Sequence, residues 1–399
     1  MKEYAFSGRM ERLGGEGAFE VLRRARALEA QGKKIIHLQI GEPDFDTPLN
    51  IREKAIQALK DGHTHYTPST GIPELRRTVA RYISRTRKIE VAPENVVINP
   101  GGRPIIFHAL LACVDHGDEV LYPNPGYPGY HSIISFAGGV PIPIPLLEEK
   151  DFRFDVDDLE RKITPKTRMI ILNSPGNPTG GILTYEDLEK IAWLAKKHDL
   201  LVFSDEIYSR IIYEGEHHSI ASFEGMPERT ILLDGFSKTY AMTGWRLGYG
   251  VMPKEIAERI IKLTLNSLSC VATFVQMAGI EALEGPQDAV ESMIEEFRKR
   301  RNFIVDGLNK IPGISCRKPH GAFYVLPNVK KLGMKTKELE VYLMEEAGVA
   351  CLAGAAFGQY GEGYMRLSYA NSMENLTKAL SQIEEAVKKL PALQGTACK

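Results

Sequence analysis

The chain has 399 residues, with 50 Lys and Arg against 51 Asp and Glu for a formal net charge of −1, and is 43% hydrophobic and 25% charged. Those proportions describe a folded globular protein long enough for two or three structural units, and so balanced a charge excludes nucleic-acid binding by bulk phosphate neutralisation. Five dispersed cysteines without a C-x-x-C pair exclude a disulfide framework or zinc ribbon and fit a reducing cytoplasm.

Met1 to Arg12 carries Lys2, Glu3, Arg9, Glu11 and Arg12 and no apolar run, so no signal peptide is expected. No stretch approaches the roughly 18–20 apolar residues of a membrane span. A soluble cytoplasmic protein with neither membrane nor nucleic-acid partners is the expectation. From about residue 95 to 265, short apolar runs alternate with helical patterns. Val96-Val97-Ile98 stops at Asn99-Pro100-Gly101-Gly102, and a helix follows from Ile105 to Cys113. Glu119 to Tyr122 stops at Pro123, Pro125 and Gly126, and Met169 to Leu172 stops at the turn-rich Ser174 to Gly181. Leu188, Ile191, Ala192 and Ala195 mark one buried helix face. Leu200 to Phe203 then runs into Ser204-Asp205-Glu206, and Ile231 to Leu233 into Asp234-Gly235.

Continuous apolar strands between amphipathic helices predict an α/β fold, a mostly parallel sheet covered on both faces. Ligands of such sheets bind beyond the carboxyl ends of the strands, which singles out Asn177, Asp205, Tyr208, Ser237 and Lys238. Beyond residue 288 the pattern changes to a long charged helix over Ala289–Leu308, short strands near Phe323–Leu326 and Met365–Leu367, and helices near Lys337–Ala347 and Met373–Lys388. This predicts a smaller α+β unit joined by the first 45 or so residues, with a frayed tail from Pro391.

The strand ends carry the residue types that an aldehyde cofactor with a pyridine ring and a phosphate requires: a condensing lysine, an acid for the ring nitrogen and donors for the phosphate. Lys238 follows one strand and Asp205 ends another, with Tyr208 three residues on. Gly101-Gly102-Arg103 opens a helix directly after a strand, where backbone N–H groups and the helix dipole attract a phosphate. Arg246 adds a guanidinium.

With these residues in view, the sequence resembles the pyridoxal-phosphate-dependent class I/II aminotransferases of fold type I, in their aspartate-aminotransferase-like bacterial and archaeal branch. The resemblance runs through Gly41-Glu42-Pro43-Asp44-Phe45, Tyr66-Thr67-Pro68, Gly71 to Arg76, Asn177-Pro178-Thr179-Gly180, Ser204 to Tyr208, Ser237-Lys238, Thr243 to Gly248 and Met365-Arg366-Leu367-Ser368. It implies pyridoxal 5′-phosphate condensed with Lys238, which also shuttles the substrate Cα proton. It implies Asp205 on the ring nitrogen, Tyr208 and Asn177 on the ring oxygen, and Tyr127 stacked on the ring. Gly101, Gly102, Arg103, Ser237 and Arg246 would bind the phosphate, joined by Tyr66 from a second subunit of a homodimer. Arg366, with Gly41 and Asn177, would grip the α-carboxylate of an amino acid or 2-oxo acid. The implied layout is a small-domain arm over 1–45, a large cofactor domain over 46–288 and a small domain over 289–399.

Two departures stand out. Gly235 occupies a position where many relatives have Ser, and Leu263 to Gly279 contains no Arg or Lys that would read a distal carboxylate. Arg103 is the alternative reader. Aspartate or glutamate is the favoured donor, with a broad alanine, aromatic or branched-chain enzyme, or a β-lyase on the same scaffold, as rivals. A non-enzymatic effector-binding module is a poorer fit, because little chain precedes the first signature. Singly, these residues have ordinary readings: Lys238 as surface, Asp205 as a helix N-cap, Tyr208 as core, Tyr66 and Tyr127 as loop packing, Arg366 as a surface ion pair. No P-loop, G-x-G-x-x-G or G-x-S-x-G pattern competes. His63, His65, His217 and His218 read as solvated, and no metal is expected.

Overall fold

The computed structural model describes residues 4–15 and 17–394. Its strands are β1 (Ile36–His37), β2 (Val96–Asn99), β3 (Glu119–Asn124), β4 (Val140–Leu147), β5 (Arg153–Phe154), β6 (Thr167–Asn173), β7 (Leu201–Asp205), β8 (Thr230–Gly235), β9 (Gly248–Val251), β10 (Tyr324–Val325), β11 (Val349–Ala350), β12 (Leu352–Ala353) and β13 (Met365–Ser368). Eight form one sheet in the order β2-β9-β8-β7-β6-β3-β4-β5. The run from β8 to β4 is parallel throughout, β9 is antiparallel to β8 and β2, and β5 is a short antiparallel edge.

Alternate side chains of the central strands enter different cores. Ile170, Leu172 and Val202 pack against Leu188, Ile191, Ala192 and Ala195 of the helix Tyr185–Lys197. Leu232 joins Leu75, Val79 and Ala278 from the helices Pro73–Arg87 and Thr273–Glu284 on that same face. Ile171, Phe203, Ile231 and Leu233 meet Ile105, Leu110, Tyr130 and Ile260 from the helices Arg103–Cys113, Pro128–Ala137 and Lys254–Ser267 on the other. Burial on both faces is why these strands read as unbroken apolar runs.

β4 escaped the sequence reading because its sequence, VPIPIPLL, has a proline at every second position. Its prolines lie at period two, so their missing N–H groups share one side of the strand, where β5 pairs only with Leu146 and Leu147. A proline costs no ladder bond at such an edge. β3 likewise runs on through Pro123 to Asn124, past its expected stop, paired with Ile144 and Pro145 of β4. At the chain end the expected fraying from Pro391 is corrected: Pro391–Gln394 forms a short helix, and Leu393 packs on the neighbouring core. The remaining tail lies outside the described residues.

The C-terminal elements share a core built on Phe297, Ile304, Phe323, Leu339, Leu343, Leu367 and Ile383, which Leu38 also enters. β1 pairs in parallel with β11, so the early segment supplies a strand beside residues more than 300 positions later. β10, β13 and β12 form a separate antiparallel sheet. In the main sheet the chain progresses outward from β6 to β8 on one side and from β3 to β4 on the other. The strand order therefore reverses between β6 and β3, and such a switch point leaves a crevice beyond the strand ends.

Candidate active site

A cavity of about 340 Å³ lies at that crevice, lined from the main sheet by Asn173, Asp205 and Leu233, from the turn after β8 by Ser237 and Lys238, and from the C-terminal elements by Tyr324, Leu352, Phe357 and Arg366. Asp205 is buried at the end of β7, and no helix begins after it, which removes the N-cap reading. Its Oδ1 accepts the Ile207 backbone N–H at 3.2 Å and its Oδ2 accepts the Tyr130 hydroxyl at 2.6 Å. Burial still pushes the carboxyl up to about 6, because two neutral donors do not replace lost hydration.

Lys238 is not a surface lysine. Its Nζ donates to the Gly41 carbonyl at 2.6 Å and lies 5.9 Å from the centre of the Phe323 ring. Burial lowers its pKa to about 8 against the pull of Glu42, and Arg366, Arg246 and Arg103 lower it further. A lysine in this range keeps a neutral share near pH 7, as a proton-transfer base requires.

Three glycines bring the anion-attracting groups together. Gly235 and Gly248 face each other across β8 and β9, and a Cβ on Gly235 would lie 3.0 Å from the Gly248 Cα. A Cβ on Gly248 would in turn lie 2.6 Å from the Gly101 carbonyl carbon. The missing hydroxyl at 235 thus coincides with a close strand approach. Gly101 has φ +92°, and a Cβ there would sit 2.4 Å from Nη2 of Arg246. The Arg246 guanidinium donates to the Thr243 carbonyl at 2.7 Å, beside Ser237, Gly102 and the N-terminus of the helix Arg103–Cys113. Arg103 is exposed at the rim, 6.0 Å from the centre of the Tyr127 ring.

Arg366 lines the same cavity, buried in β13 rather than paired on the surface. Its Nη1 donates to Asn177 Oδ1 at 3.2 Å and its Nη2 to the Gln39 carbonyl. The guanidinium lies 4.6 Å from the Tyr324 ring and 5.0 Å from the Phe357 ring. Tyr208 is buried, its hydroxyl 2.8 Å from that of Tyr324.

Gly41, Gly102, Arg103, Tyr127, Asn177, Asp205, Tyr208, Ser237, Lys238, Arg246 and Arg366 therefore line one cavity. Gly101 stands behind Arg246 instead. Tyr66 does not line the cavity and is 90% exposed. Sequence reasoning missed Tyr130 and Tyr324, which lie among ordinary helix and strand residues and carry no local signal beyond an aromatic side chain. It also misread His217, which is half-buried and meets Glu206 Oε2 at 2.9 Å rather than being solvated. Glu206 meets Arg87 at 2.8 Å, and Arg87 meets Asp234 at 2.9 Å, in a paired cluster away from the cavity. Among the described residues no helix is long and apolar enough to cross a membrane.

Residues 33–383 match the family described as aminotransferase class I and II. The chain is 42% identical over 388 residues to a protein named aromatic-amino-acid aminotransferase 2 from Thermococcus litoralis, covering 96% of this chain and 98% of that one. It is 43% identical over 371 residues to a protein named aspartate aminotransferase from Pyrococcus abyssi, covering 92% and 95%. The solved structure of aspartate aminotransferase from Thermus thermophilus with maleate matches with a TM-score of 0.92 at 38% identity, covering 96% of this chain and 100% of that one.

Proposed function

The chain belongs to the class I and II aminotransferases, and from that membership we propose that it transfers the α-amino group of an L-amino acid, aspartate or glutamate first, to a 2-oxo acid such as 2-oxoglutarate, with pyridoxal 5′-phosphate as cofactor. Enzymes of this family generally depend on that cofactor, and the relatives act on amino acids and 2-oxo acids. The observation that carries the reading is one cavity lined by a buried carboxylate, a lysine of lowered pKa and the three arginines Arg103, Arg246 and Arg366.

That donor set fits the cofactor. Arg246, Ser237 and the helix start at Gly102 and Arg103 suit a phosphate, Asp205 suits a protonated ring nitrogen, and Tyr208 and Asn177 suit a ring oxygen. When bound, pyridoxal 5′-phosphate supplies the carbonyl that takes up the amino group and the cationic ring that accepts electrons released at the substrate Cα. Arg366 holds the α-carboxylate with its planar fork, which Asn177 and the Gln39 carbonyl already orient. Lys238 Nζ takes the proton from Cα; with a pKa of about 8, about one-tenth of it is neutral at pH 7. Asp205 stays ionised when a cation faces it, since an opposite charge reverses the effect of burial.

Tyr66 is read as a phosphate donor to the cavity of a second copy, in a homodimer with sites at the subunit interface. Its 90% exposure within one chain supports this. Residues 46–288 are read as the large unit and 1–45 with 289–399 as the smaller one, so that Gly41 and Arg366 reach Lys238 across the boundary. The cytoplasm is the proposed compartment, in keeping with the free Cys113, Cys270, Cys316 and Cys351.

Arg103, exposed at the rim, is the proposed reader of a distal carboxylate. A second reading is favoured by the lining itself: Phe19, Tyr127, Tyr324, Phe357 and Leu352 offer an apolar wall to an aromatic or branched donor. Half-reactions of the cofactor-loaded protein with single amino acids decide between them by loss of the visible band. Reaction with phenylalanine or leucine but with neither aspartate nor glutamate would reverse the preference. Pyruvate with a sulfur leaving group, in place of stoichiometric amine transfer, would mark a β-lyase. Near-parent turnover by Lys238→Ala without added amine would remove the whole proposal.

A further inference from the structure

We infer that Tyr324 is a positioning residue that joins the carboxylate-gripping Arg366 to the ring-oxygen donor Tyr208, its ring fixing the first and its hydroxyl the second. The inference rests on the reading of the cavity given above and assigns a role to a residue outside the site set read from the sequence.

Tyr324 is buried on β10, where it pairs with Ser368 of β13, two residues from Arg366. Its ring lies under the guanidinium at 4.6 Å, with Phe357 at 5.0 Å completing an aromatic clamp. A guanidinium held against aromatic faces loses part of its rotational freedom and keeps its fork aimed without extra hydrogen bonds. The hydroxyl of Tyr324 reaches that of Tyr208 at 2.8 Å, with the two rings edge to face at 5.8 Å. Tyr324 also explains Gly41: a Cβ there would fall 2.2 Å from the Tyr324 hydroxyl. Gly41 is the residue whose carbonyl receives the Lys238 ammonium. One tyrosine thus touches the supports of three proposed working groups.

The direction of the hydroxyl pair follows from proton counting. Tyr208 has a single O–H. If it donates to the cofactor's ring oxygen, the hydrogen bond between the two tyrosines must be donated by Tyr324. A hydroxyl that accepts a bond on its oxygen donates more strongly, so Tyr324 strengthens the donor that favours the anionic ring oxygen. The charged and titratable groups acting on this pair are Asp205, Arg366 and Tyr130, and those acting on Lys238 are Glu42, Arg366, Arg246 and Arg103.

The test uses full-length protein loaded with pyridoxal 5′-phosphate and titrates its visible band in the parent, Tyr324→Phe, Tyr208→Phe and the double variant. Tyr324→Phe should raise the midpoint by roughly half a pH unit. The double variant should titrate with Tyr208→Phe, because the effect passes through Tyr208. KM and kcat for L-aspartate and L-phenylalanine supply the second readout. Tyr324→Phe keeps the ring and should leave KM within about twofold, whereas Tyr324→Leu should raise it about fivefold or more with a smaller change in kcat. An unmoved midpoint in Tyr324→Phe, or an equal shift in the Tyr208→Phe background, overturns the inference, and it does so even if Tyr324→Leu does not fold. A parent protein that develops no visible band loses the cofactor reading itself, which is a different result from a parent band with indifferent variants.

Discussion

Asp205 and Glu206 follow one another at the end of β7, both are buried, and their carboxylates leave toward opposite faces of the sheet. Asp205 meets Tyr130, from the helix Pro128–Ala137, while Glu206 meets Arg87, from the helix Pro73–Arg87. Burial pushes both carboxyl groups up, but only Asp205 stays raised, at about 6. For Glu206 the push is overcome by His217 and Arg87 together with the Ser219 hydroxyl, which hold it near 2. Equal burial with unequal partners separates the two groups. A guanidinium alone does not make the difference, since Asp234 also meets Arg87 and stays raised at about 6; Glu206 is held down by His217 and Arg87 together, whereas Asp205, supplied with neutral donors, lines the cavity.

The largest way to break this contrast is to remove Arg87. Its guanidinium donates to Glu206, Asp234 and Ser209 at 2.8–2.9 Å, so Arg87→Met strips the guanidinium from two buried carboxylates, leaving Asp234 with the Gly235 N–H and Glu206 with His217, Ser204 and Ser219. A stability loss of about 3–5 kcal/mol is expected in urea unfolding at pH 7. The depressed pKa of Glu206 contributes stability above its unfolded value of 4.5 that is lost as pH falls toward 2. The penalty of the variant should therefore shrink on acidification. A loss below about 1 kcal/mol, the scale of exposed pairs, would mean that the cluster is not holding Glu206 as described.

Asp205→Asn tests the opposite side and should separate activity from stability. In the role proposed for Asp205, turnover should fall about 10³-fold, because a neutral amide would not hold a protonated ring nitrogen. Stability should move the other way in cofactor-free protein. A carboxyl whose folded pKa is raised favours the folded state most when protonated, and its ionisation costs stability progressively between 3.8 and about 6. At pH 7 that full cost is present in the parent and absent in the variant, which should be more stable by on the order of 3 kcal/mol. The gain should vanish below pH 4. A variant less stable than the parent at pH 7 would show that Asp205 is a structural carboxylate like its neighbour.

The two sides also differ in how far the sequence revealed them. Asp205, Lys238 and Arg366 were legible because each directly ends, follows or lies within an apolar run, inside a motif whose spacing the resemblance could match. The α/β layering was legible for the same reason: Met169 to Leu172 and Ile231 to Leu233 are too uniformly apolar for a half-exposed strand. Arg87 was not, since nothing local sets it apart from Arg81 and Arg85, and its partners lie 119 and 147 positions away. His217 was misread because its polar local context says nothing about Glu206. Tyr130 and Tyr324 pack like any core aromatic, and their function rests on where one hydroxyl points. Gly235 read as a lost phosphate donor, and the structure adds what the sequence could not show, that a Cβ there would lie 3.0 Å from the Gly248 Cα.

The smallest prediction isolates the neutral donor that distinguishes the two carboxylates. Tyr130 is fully buried and gives Asp205 its shortest hydrogen bond, 2.6 Å to Oδ2. The bond stabilises the ionised carboxylate, so Tyr130→Phe should push the Asp205 carboxyl above its present value of about 6 and cost about 1 kcal/mol at pH 7. That cost should fade below pH 4, where Asp205 is protonated in folded and unfolded chains alike. Urea unfolding of cofactor-free protein across pH 4–8 reads both effects, and a Tyr130→Phe/Asp205→Asn double variant supplies the control. In the Asn background the pH-dependent part of the Phe effect should disappear, because the titrating group is gone. A pH dependence that survives there would assign the bond's influence to another group, and Asp205 would then owe its raised pKa to burial with no opposing contribution from Tyr130.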